Sequence, residues 1–380
     1  MQHPVLDEIA QGFVVDRAVA PAAVVGLARR CTTNHSELRG VWGGWRVYTG
    51  AAGATGRGAV NAQTVFDLAS VSKPFLAVLV TRLTRRGCVR FDTRLGTLLP
   101  EARGTPSADA PIEALLAHRA GLEAHLPLFE PVERGRPLCR QRALERAARS
   151  LRPDCAPRAP VEGYPPVYSD MGYLLVGAAL EAVTGTALDE LFRRELFAPL
   201  ALDVGSARQW LARGGFKRRV APTEYLPWRG RPTRGAVHDD NCWAIAGHAA
   251  AGHAGLFATA EAVLKFGAVL LDAAAGRDES FLGREELIRL TRPRAGGSLR
   301  CGFDGKTAEG SSVGRTAGPR TFGHLGFTGT SLWCDPDADV VTVALTNRVH
   351  PTRENPRIRT ARPLVHEALF HLALSTDGLN

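Results

Sequence analysis

Ser70 and Lys73 are the first residues whose types and spacing could support chemistry. They lie in FDLASVSKPFLAVLV, residues 66–80, where one of only four lysines follows a serine by three positions. With 13 serines in 380 residues, this spacing is expected about 0.14 times by chance. Residues three apart on a helix share one face, so hydroxyl and ammonium would meet. The pair predicts a serine nucleophile activated by lysine, if burial or nearby positive charge lowers the lysine pKa. A helix-capping serine beside a surface-reaching lysine is the alternative.

Tyr168 and Asp170 lie in a second segment that could serve the same site, VYSDMGYLLVG. Tyr168 precedes an apolar helix, and a phenol facing Ser70 could relay protons between the serine and a leaving group. Asp170 could bond to Lys73 or to the substrate. Taken alone, Tyr-Ser-Asp before a helix is also an ordinary N-cap pattern.

A third segment, FGHLGFTGTSLW, contains His324, Gly326 and Phe327. A glycine inside a predicted strand marks close approach by a ligand or another backbone. The N–H of Phe327 is then expected to be a second oxyanion donor, with the N–H of Ser70 as the first. His324 would stand beside it, although an isolated histidine is equally compatible with a structural role.

In chain order, the three segments resemble the penicillin-recognising serine hydrolases, which include class C β-lactamases, D,D-carboxypeptidases, D-aminopeptidases and related esterases. The family pattern is Ser-x-x-Lys, Tyr-x-Asn and Lys/His-Thr/x-Gly, matched here by 70–73, 168–170 and 324–326. LLAHRAGL, GHAGLFATA and DPDADVVTVALTNR extend the resemblance to about residues 10–375. It implies that Ser70 is the acylated nucleophile, Lys73 its proton-accepting partner and Tyr168 the general acid/base.

Two positions depart from the family pattern. Asp170 replaces the usual Asn, which adds negative charge and favours a protonated Lys73. His324 replaces the lysine of β-lactamases and, with an ordinary pKa of about 6.5, would hold a substrate carboxylate less firmly at pH 7. Both changes predict weak or absent β-lactam hydrolysis, and small esters or D-amino-acid peptides and amides as substrates. The main alternative is a catalytically silent scaffold that keeps the fold for binding.

The apolar patterns predict an α+β fold of the β-lactamase/D,D-peptidase type. Residues 22–28 and 44–50 and a hairpin around DPDAD are predicted strands, while 74–86, 172–185 and the stretch IRTARPLVHEALFHLAL are predicted helices. Thr186 and Asp189 match a capping box. We therefore expect an antiparallel sheet, flanked by N- and C-terminal helices, with a mainly helical lobe inserted. Within one unit, 1–380, the sheet lobe would comprise 1–70 and 255–380 and the helical lobe 71–254, with the site in the cleft between them.

Charge and composition argue against several other classes. The net charge of +9 comes from arginines scattered beside acidic residues, as in FRREL and GREELIRL, whereas nucleic-acid binding requires a clustered basic face. The apolar run 18–28 is too short to cross a bilayer. We expect a small-molecule substrate and neither a nucleic-acid nor a membrane partner; the oligomeric state is left open.

The start of the chain, MQHPVLDEIAQGF, lacks the basic region of a secretory signal. This predicts a cytoplasmic location, or a periplasmic one if an export signal was removed. Seven cysteines without C-x-x-C pairing predict free thiols. VHDDNC (237–242) with His248 and His253 is a weak metal candidate, and we predict neither a metal nor another cofactor.

Overall fold

The computed structural model describes residues 1–31, 41–155, 162–229 and 231–375. The strands within these ranges are β1 (Ala22–Arg30), β2 (Val41–Trp42), β3 (Trp45–Gly53), β4 (Phe66–Asp67), β5 (Val204–Ser206), β6 (Tyr225–Leu226), β7 (Arg231–Pro232), β8 (Leu256–Ala258), β9 (Asp304–Gly305), β10 (Phe322–Leu325), β11 (Ser331–Asp335) and β12 (Val340–Thr346). The α-helices are α1 (Pro4–Ala10), α2 (Ser72–Arg85), α3 (Leu95–Leu98), α4 (Ile112–Leu116), α5 (Glu130–Glu133), α6 (Arg140–Ala148), α7 (Asp170–Thr184), α8 (Leu188–Phe192), α9 (Ala207–Arg213), α10 (Phe216–Arg219), α11 (Asp240–Ala246), α12 (Ala260–Ala274), α13 (Arg284–Thr291) and α14 (Ile358–Leu374).

The largest sheet joins the two ends of the chain. Its order is β2-β3-β1-β12-β11-β10-β9, and each pair of neighbouring strands is antiparallel. Along β1, Val25 and Leu27 face a cluster that includes residues of α1 and α14, whereas Val24 faces the cluster that contains α12. Successive side chains of a strand point to opposite faces, so β1 is buried on both sides. The structure confirms the predicted α+β fold, with one antiparallel sheet flanked by terminal helices.

Helix α2 is buried nearly all round, as its lack of a polar face predicted. Phe75, Leu76 and Leu79 have no exposed surface, and the ring of Phe75 stacks 3.9 Å from that of Phe266 on α12. A single turn of 3-10 helix, Ala69–Val71, leads directly into α2. The rigid core therefore fixes the position of Ser70.

Two local predictions are wrong. Gly326 does not lie inside a strand: β10 ends at Leu325, and residues 326–330 form the turn to β11, which we call the β10–β11 turn. Thr186 does not cap a helix, because α8 begins at Leu188 after the N-cap Ala187, which makes no side-chain cap. The division into lobes at residues 70 and 254 stays a prediction.

All seven cysteines lie in the described ranges and are free thiols. Among the described residues, no single helix has both the length and the apolar character needed to cross a membrane. The consecutive segments Asp170–Thr184 and Leu188–Phe197 reach that length only together, across a bend of 83°.

Candidate active site

Ser70 lies on a strained turn that a buried carboxylate holds in place. Ala69 has φ +47°, a left-handed conformation that is uncommon for a residue other than glycine. Asp67 accepts hydrogen bonds from the N–H groups of Ala69, at 2.9 Å, and of His238, at 2.8 Å. Burial raises the pKa of Asp67, against the effect of these two donors. The turn directs Ser70 into a cavity, and sequence reasoning missed the contribution of Asp67.

Lys73 is completely buried beneath the serine. Its Nζ donates to Ser70 Oγ at 2.8 Å and to the carbonyl oxygen of His253 at 3.1 Å, and it lies 2.7 Å from Asp170 Oδ1. Burial by itself lowers the pKa of Lys73, but the adjacent Asp170 carboxylate and Tyr168 together outweigh it and raise the pKa to about 12. At neutral pH Lys73 is therefore an ammonium. The depressed pKa required for direct activation of serine is absent in the resting site, as the Asp at position 170 suggested.

Tyr168 completes the contact between the segments. The Lys73 ammonium lies 5.0 Å from its ring centroid, and the side chains of Lys73 and Ser70 are close enough to the phenol to lower its pKa. Burial raises the pKa of Tyr168 more than the nearby ammonium lowers it, so the phenol is protonated at neutral pH. The structure thus brings together Ser70, Lys73, Tyr168 and Asp170, whose sequence separations span 100 residues.

His118 holds Tyr168 from behind. The two rings stack with centroids 4.7 Å apart, and His118 Nδ1 accepts a hydrogen bond from the N–H of Ser169 at 2.9 Å. Burial keeps the pKa of His118 well below its ordinary value, so this imidazole is neutral. His118 lies in the segment LLAHRAGL, but nothing in the sequence of that segment indicated a contact with Tyr168.

His324 faces the site as a neutral side chain. Its Nδ1 donates to the carbonyl oxygen of Leu325 at 2.8 Å, and its ring centroid lies 6.0 Å from that of Tyr168. Burial lowers the pKa of His324 to about 3, far below the ordinary value assumed from the sequence. His324 therefore adds no positive charge to the site at neutral pH.

Gly326 allows close backbone approach, as predicted, although it lies after the strand. A Cβ at this position would lie 2.4 Å from the carbonyl oxygen of Leu68 and 2.0 Å from Thr330 Oγ1. The next amide, the N–H of Phe327, donates to no protein acceptor in the part of the chain that the structure describes. It is therefore free to bind a substrate oxygen, which the predicted oxyanion role requires.

Two threonines attach the β10–β11 turn to the segment before Ser70. Thr328 Oγ1 donates to the carbonyl oxygen of Asp67 at 2.7 Å, and Thr330 Oγ1 donates to that of Leu68 at 2.8 Å. These bonds fix the turn that contains the Phe327 N–H relative to the turn that contains Ser70. Their partners are about 260 residues away in sequence, so local patterns could not reveal them.

A cavity of about 830 Å³ opens above Ser70, which we call the active-site cavity. Tyr168 and Asp170 line it beside the serine, and Phe129 and Phe327 add apolar surface. The remaining wall includes four arginines and three further acids, which are Arg348, Arg353, Arg359, Arg362, Asp239, Asp240 and Glu354.

The metal candidate near residue 240 has a different arrangement. His253 Nε2 is 2.9 Å from Asp239, and His238 Nε2 is 2.9 Å from Glu224. Within the described ranges, no three His, Cys, Asp or Glu side chains are grouped so that they could hold a metal ion.

Comparison with known proteins identifies the family to which this chain belongs. The model of the family described as Beta-lactamase matches residues 21–367. The chain belongs to the β-lactamase family. Its relatives include a Salmonella agona protein provisionally named a D-alanyl-D-alanine carboxypeptidase, which is 25% identical over 349 residues, or 86% of this chain and 79% of that protein. The N-acetylmuramyl-L-alanine amidase of Bacillus subtilis is 26% identical over 327 residues, covering 79% and 72% of the two chains.

The same fold is found in the solved structure of EstCE1, a hydrolase with promiscuous acyltransferase activity. It aligns with a TM-score of 0.65 and 22% identity over 95% of this chain and 99% of that one. Membership of the β-lactamase family identifies this protein as a hydrolase.

Proposed function

We propose that this β-lactamase family member is a serine hydrolase that forms an acyl-enzyme on Ser70. The observation that carries the proposal is the chain of contacts from Ser70 Oγ to Lys73 Nζ, a hydrogen bond of 2.8 Å, and from Lys73 Nζ to Asp170, an ion pair of 2.7 Å, with Tyr168 beside them. A nucleophile needs a partner that takes its proton, and here that partner is itself connected to a carboxylate.

The protonated state of Lys73 determines the proton path. Lys73 passes one proton to Asp170 and takes the proton of Ser70, whose oxygen forms the bond to the substrate carbonyl carbon. The oxyanion accepts hydrogen bonds from the N–H groups of Ser70 and Phe327. As the bond to the leaving group breaks, Tyr168 donates its proton to that group. Lys73 then reprotonates Tyr168, and Asp170 returns a proton to Lys73.

This path returns the catalytic groups to their resting protonation states. The proton removed from Ser70 is balanced by the one on the departing alcohol or amine. Water then attacks the acyl carbon and transfers its proton through Tyr168, Lys73 and Asp170, and the same groups reprotonate Ser70 as the acid product leaves. Because every carrier gains as many protons as it loses in each half of the cycle, no external acid or base is needed.

For substrates, we propose small esters or D-amino-acid peptides and amides, with weak or absent β-lactam hydrolysis. A neutral His324 gives β-lactam carboxylates no positive charge at the position where β-lactamases have lysine. Arg348 nevertheless lines the active-site cavity, so substrates with a carboxylate remain compatible. The carboxypeptidase and amidase names of the two relatives support substrates of the peptide and amide type.

The first test is covalent labelling of Ser70. Mass spectrometry after incubation with a fluorophosphonate is expected to show one adduct on Ser70 in the wild type and none in Ser70→Ala. Ser72→Ala is the matched control, because Ser72 is buried two residues later and accepts a hydrogen bond from the N–H of Leu256. An unlabelled wild type would favour the catalytically silent scaffold instead.

The second test defines the substrate. p-Nitrophenyl esters, D-aminoacyl amides, D-Ala-D-Ala peptides and nitrocefin should be compared at equal enzyme concentration. We expect turnover of an ester or a D-residue compound that Ser70→Ala abolishes, with nitrocefin hydrolysed far more slowly. More than a tenth of wild-type ester turnover in Ser70→Ala would refute the nucleophile, and nitrocefin as the best substrate would refute the proposed substrate class.

A further inference from the structure

Arg362 on α14 contacts the backbone of the β10–β11 turn from within the active-site cavity. Its Nη2 donates to the carbonyl oxygen of Gly326 at 2.5 Å and to that of Thr330 at 3.2 Å. The same two residues close the turn, since the N–H of Gly326 donates to Thr330 O at 2.7 Å. A single guanidinium therefore holds both ends of the turn.

The contact with Gly326 concerns the peptide group that supplies the predicted oxyanion donor. The carbonyl of Gly326 and the N–H of Phe327 belong to one planar peptide unit. A donor at the carbonyl oxygen draws electron density from the amide, and hydrogen bonds linked in this way strengthen one another. Because Arg362 is cationic, the effect on the Phe327 N–H exceeds that of a neutral donor.

The positive charge of Arg362 has no carboxylate partner within the described ranges. Three of the acids that line the cavity form ion pairs with residues other than Arg362. Asp170 pairs with Lys73, Asp239 with His253, and Asp240 with Arg229 and Arg353. Burial and the neighbouring Arg348 lower the pKa of Arg362 to about 9, and the group stays charged at neutral pH. An unpaired, partly buried cation is costly, and a neutral side chain could hold the turn at a lower cost.

We propose that Arg362 is a positioning residue of the oxyanion hole, whose guanidinium orients the Gly326–Phe327 peptide and polarises its N–H toward the substrate oxygen. This inference rests on the proposed function. Its consequence is that negative charge developing on the acyl oxygen is stabilised by Arg362 through one intervening peptide unit, without direct contact between the guanidinium and the substrate.

The experiment compares Arg362→Gln with Arg359→Gln. Arg359 lies on the same helix three residues earlier, lines the same cavity and carries the same charge, and no hydrogen bond joins it to the β10–β11 turn. The readouts are kcat and KM for an ester and the affinity of a boronic acid, which mimics the tetrahedral intermediate. The third readout is the infrared carbonyl stretch of the acyl-enzyme formed from a ¹³C-labelled ester.

Loss of one oxyanion donor typically costs about 10²–10³ in kcat. Weakening a donor that remains in place is expected to cost less, so we expect kcat of Arg362→Gln to fall about 10- to 100-fold with little change in KM. Boronic acid affinity should fall by a similar factor, and the acyl carbonyl stretch should move to higher frequency. Arg359→Gln should leave the acyl carbonyl stretch at the wild-type frequency, and Arg362→Lys, which keeps the charge, should recover part of each loss.

Several outcomes would overturn the inference. One is an acyl carbonyl frequency in Arg362→Gln equal to that of the wild type, and another is an equal effect of Arg359→Gln. The carbonyl frequency reports only on folded, acylated molecules, so partial unfolding of a variant does not obscure the result. If the wild type forms no acyl-enzyme, the proposed function fails first; if it does and only the Arg362 signature is missing, the proposed function stands without this inference.

Discussion

Replacing Asp170 by Asn tests the charge balance on which the proposed proton path depends. The change removes the carboxylate that lies 2.7 Å from Lys73 Nζ and keeps the shape of the side chain. It also introduces the residue usual at this position in the family that the sequence resembles. Lys73 would keep its hydrogen bonds to Ser70 Oγ and the His253 carbonyl oxygen, but would lose the negative charge that opposes burial.

The expected shift follows from the two opposing effects on Lys73. With Asp170 present the pKa is raised to about 12. Burial alone lowers the pKa of a completely buried lysine by up to about 3–5 units from its ordinary value of about 10.4, to roughly 5–7. The change would then be at most about 7 units, or roughly 9 kcal/mol at 1.36 kcal/mol per unit. This figure is an upper bound, because the two remaining hydrogen bonds also favour the ammonium.

Lysine NMR measures this shift directly, since the chain has only four lysines. The Lys73 Hε/Cε signal should stay constant from pH 6 to 10 in the wild type and titrate below about pH 8 in Asp170→Asn. Acylation by the variant should then acquire a rising limb at the same pH, because neutral Lys73 accepts the serine proton directly. Glu354→Gln is the control, since it removes one negative charge from the same cavity wall. A Lys73 signal still characteristic of an ammonium at pH 9 in Asp170→Asn would refute the reasoning.

Three further changes test other parts of the structure. Tyr168→Phe should lower kcat by about 10²–10⁴ and leave fluorophosphonate labelling of Ser70 detectable; an unchanged kcat would reassign the general acid/base. Thr328→Val removes the hydrogen bond to Asp67 O and should lower kcat about 10- to 100-fold, measured against exposed Thr360→Val, since displaced donors stabilise the oxyanion poorly. Burial lowers the pKa of His366 to about 3. As the pH falls below about 6.5, the unfolded state therefore takes up a proton on His366 while the folded state does not. Chemical unfolding of His366→Asn between pH 6 and 4 should therefore show a slope lower by up to about 1.36 kcal/mol per pH unit; an equal slope would contradict the neutral buried imidazole.

The elements that position Ser70 could be predicted from the sequence because their signals are local. Ser70 and Lys73 share a helix face by spacing, and α2 is apolar along its whole length. The strands at the two ends of the chain have strong apolar patterns, and one antiparallel sheet is a common way to bury both. The predicted contact of Tyr168 with this pair was a hypothesis that the family resemblance supported, since no local pattern determines the distance between segments almost 100 residues apart.

The remaining features depend on long-range contacts or on the balance of opposing effects. In the sequence, Thr328 is one of many hydroxyl residues and Arg362 is one of many arginines. Only the fold shows that each of them donates to a particular carbonyl oxygen. For Lys73, the sequence contained both the apolar helix that lowers the pKa and the carboxylate that raises it. Only the 2.7 Å contact with Asp170 determines which effect is larger.

The charged groups around Ser70 form two sets with different proposed roles. In the first set, the charges of Lys73 and Asp170 cancel, so the pair of side chains that would transfer the proton is neutral overall in the resting site. In the second set, burial lowers the pKa of His324, so this side chain is neutral. Arg362 is the cation of this set, and it donates a hydrogen bond to the Gly326 carbonyl oxygen. Replacing Asp170 should therefore change the pH dependence of acylation without moving the acyl carbonyl frequency, and replacing Arg362 should do the reverse. Proton transfer would then depend on Lys73 and Asp170, and oxyanion stabilisation on Arg362. A site whose lysine is protonated at rest could still activate the serine, because Asp170 accepts the lysine proton and Arg362 independently stabilises the oxyanion.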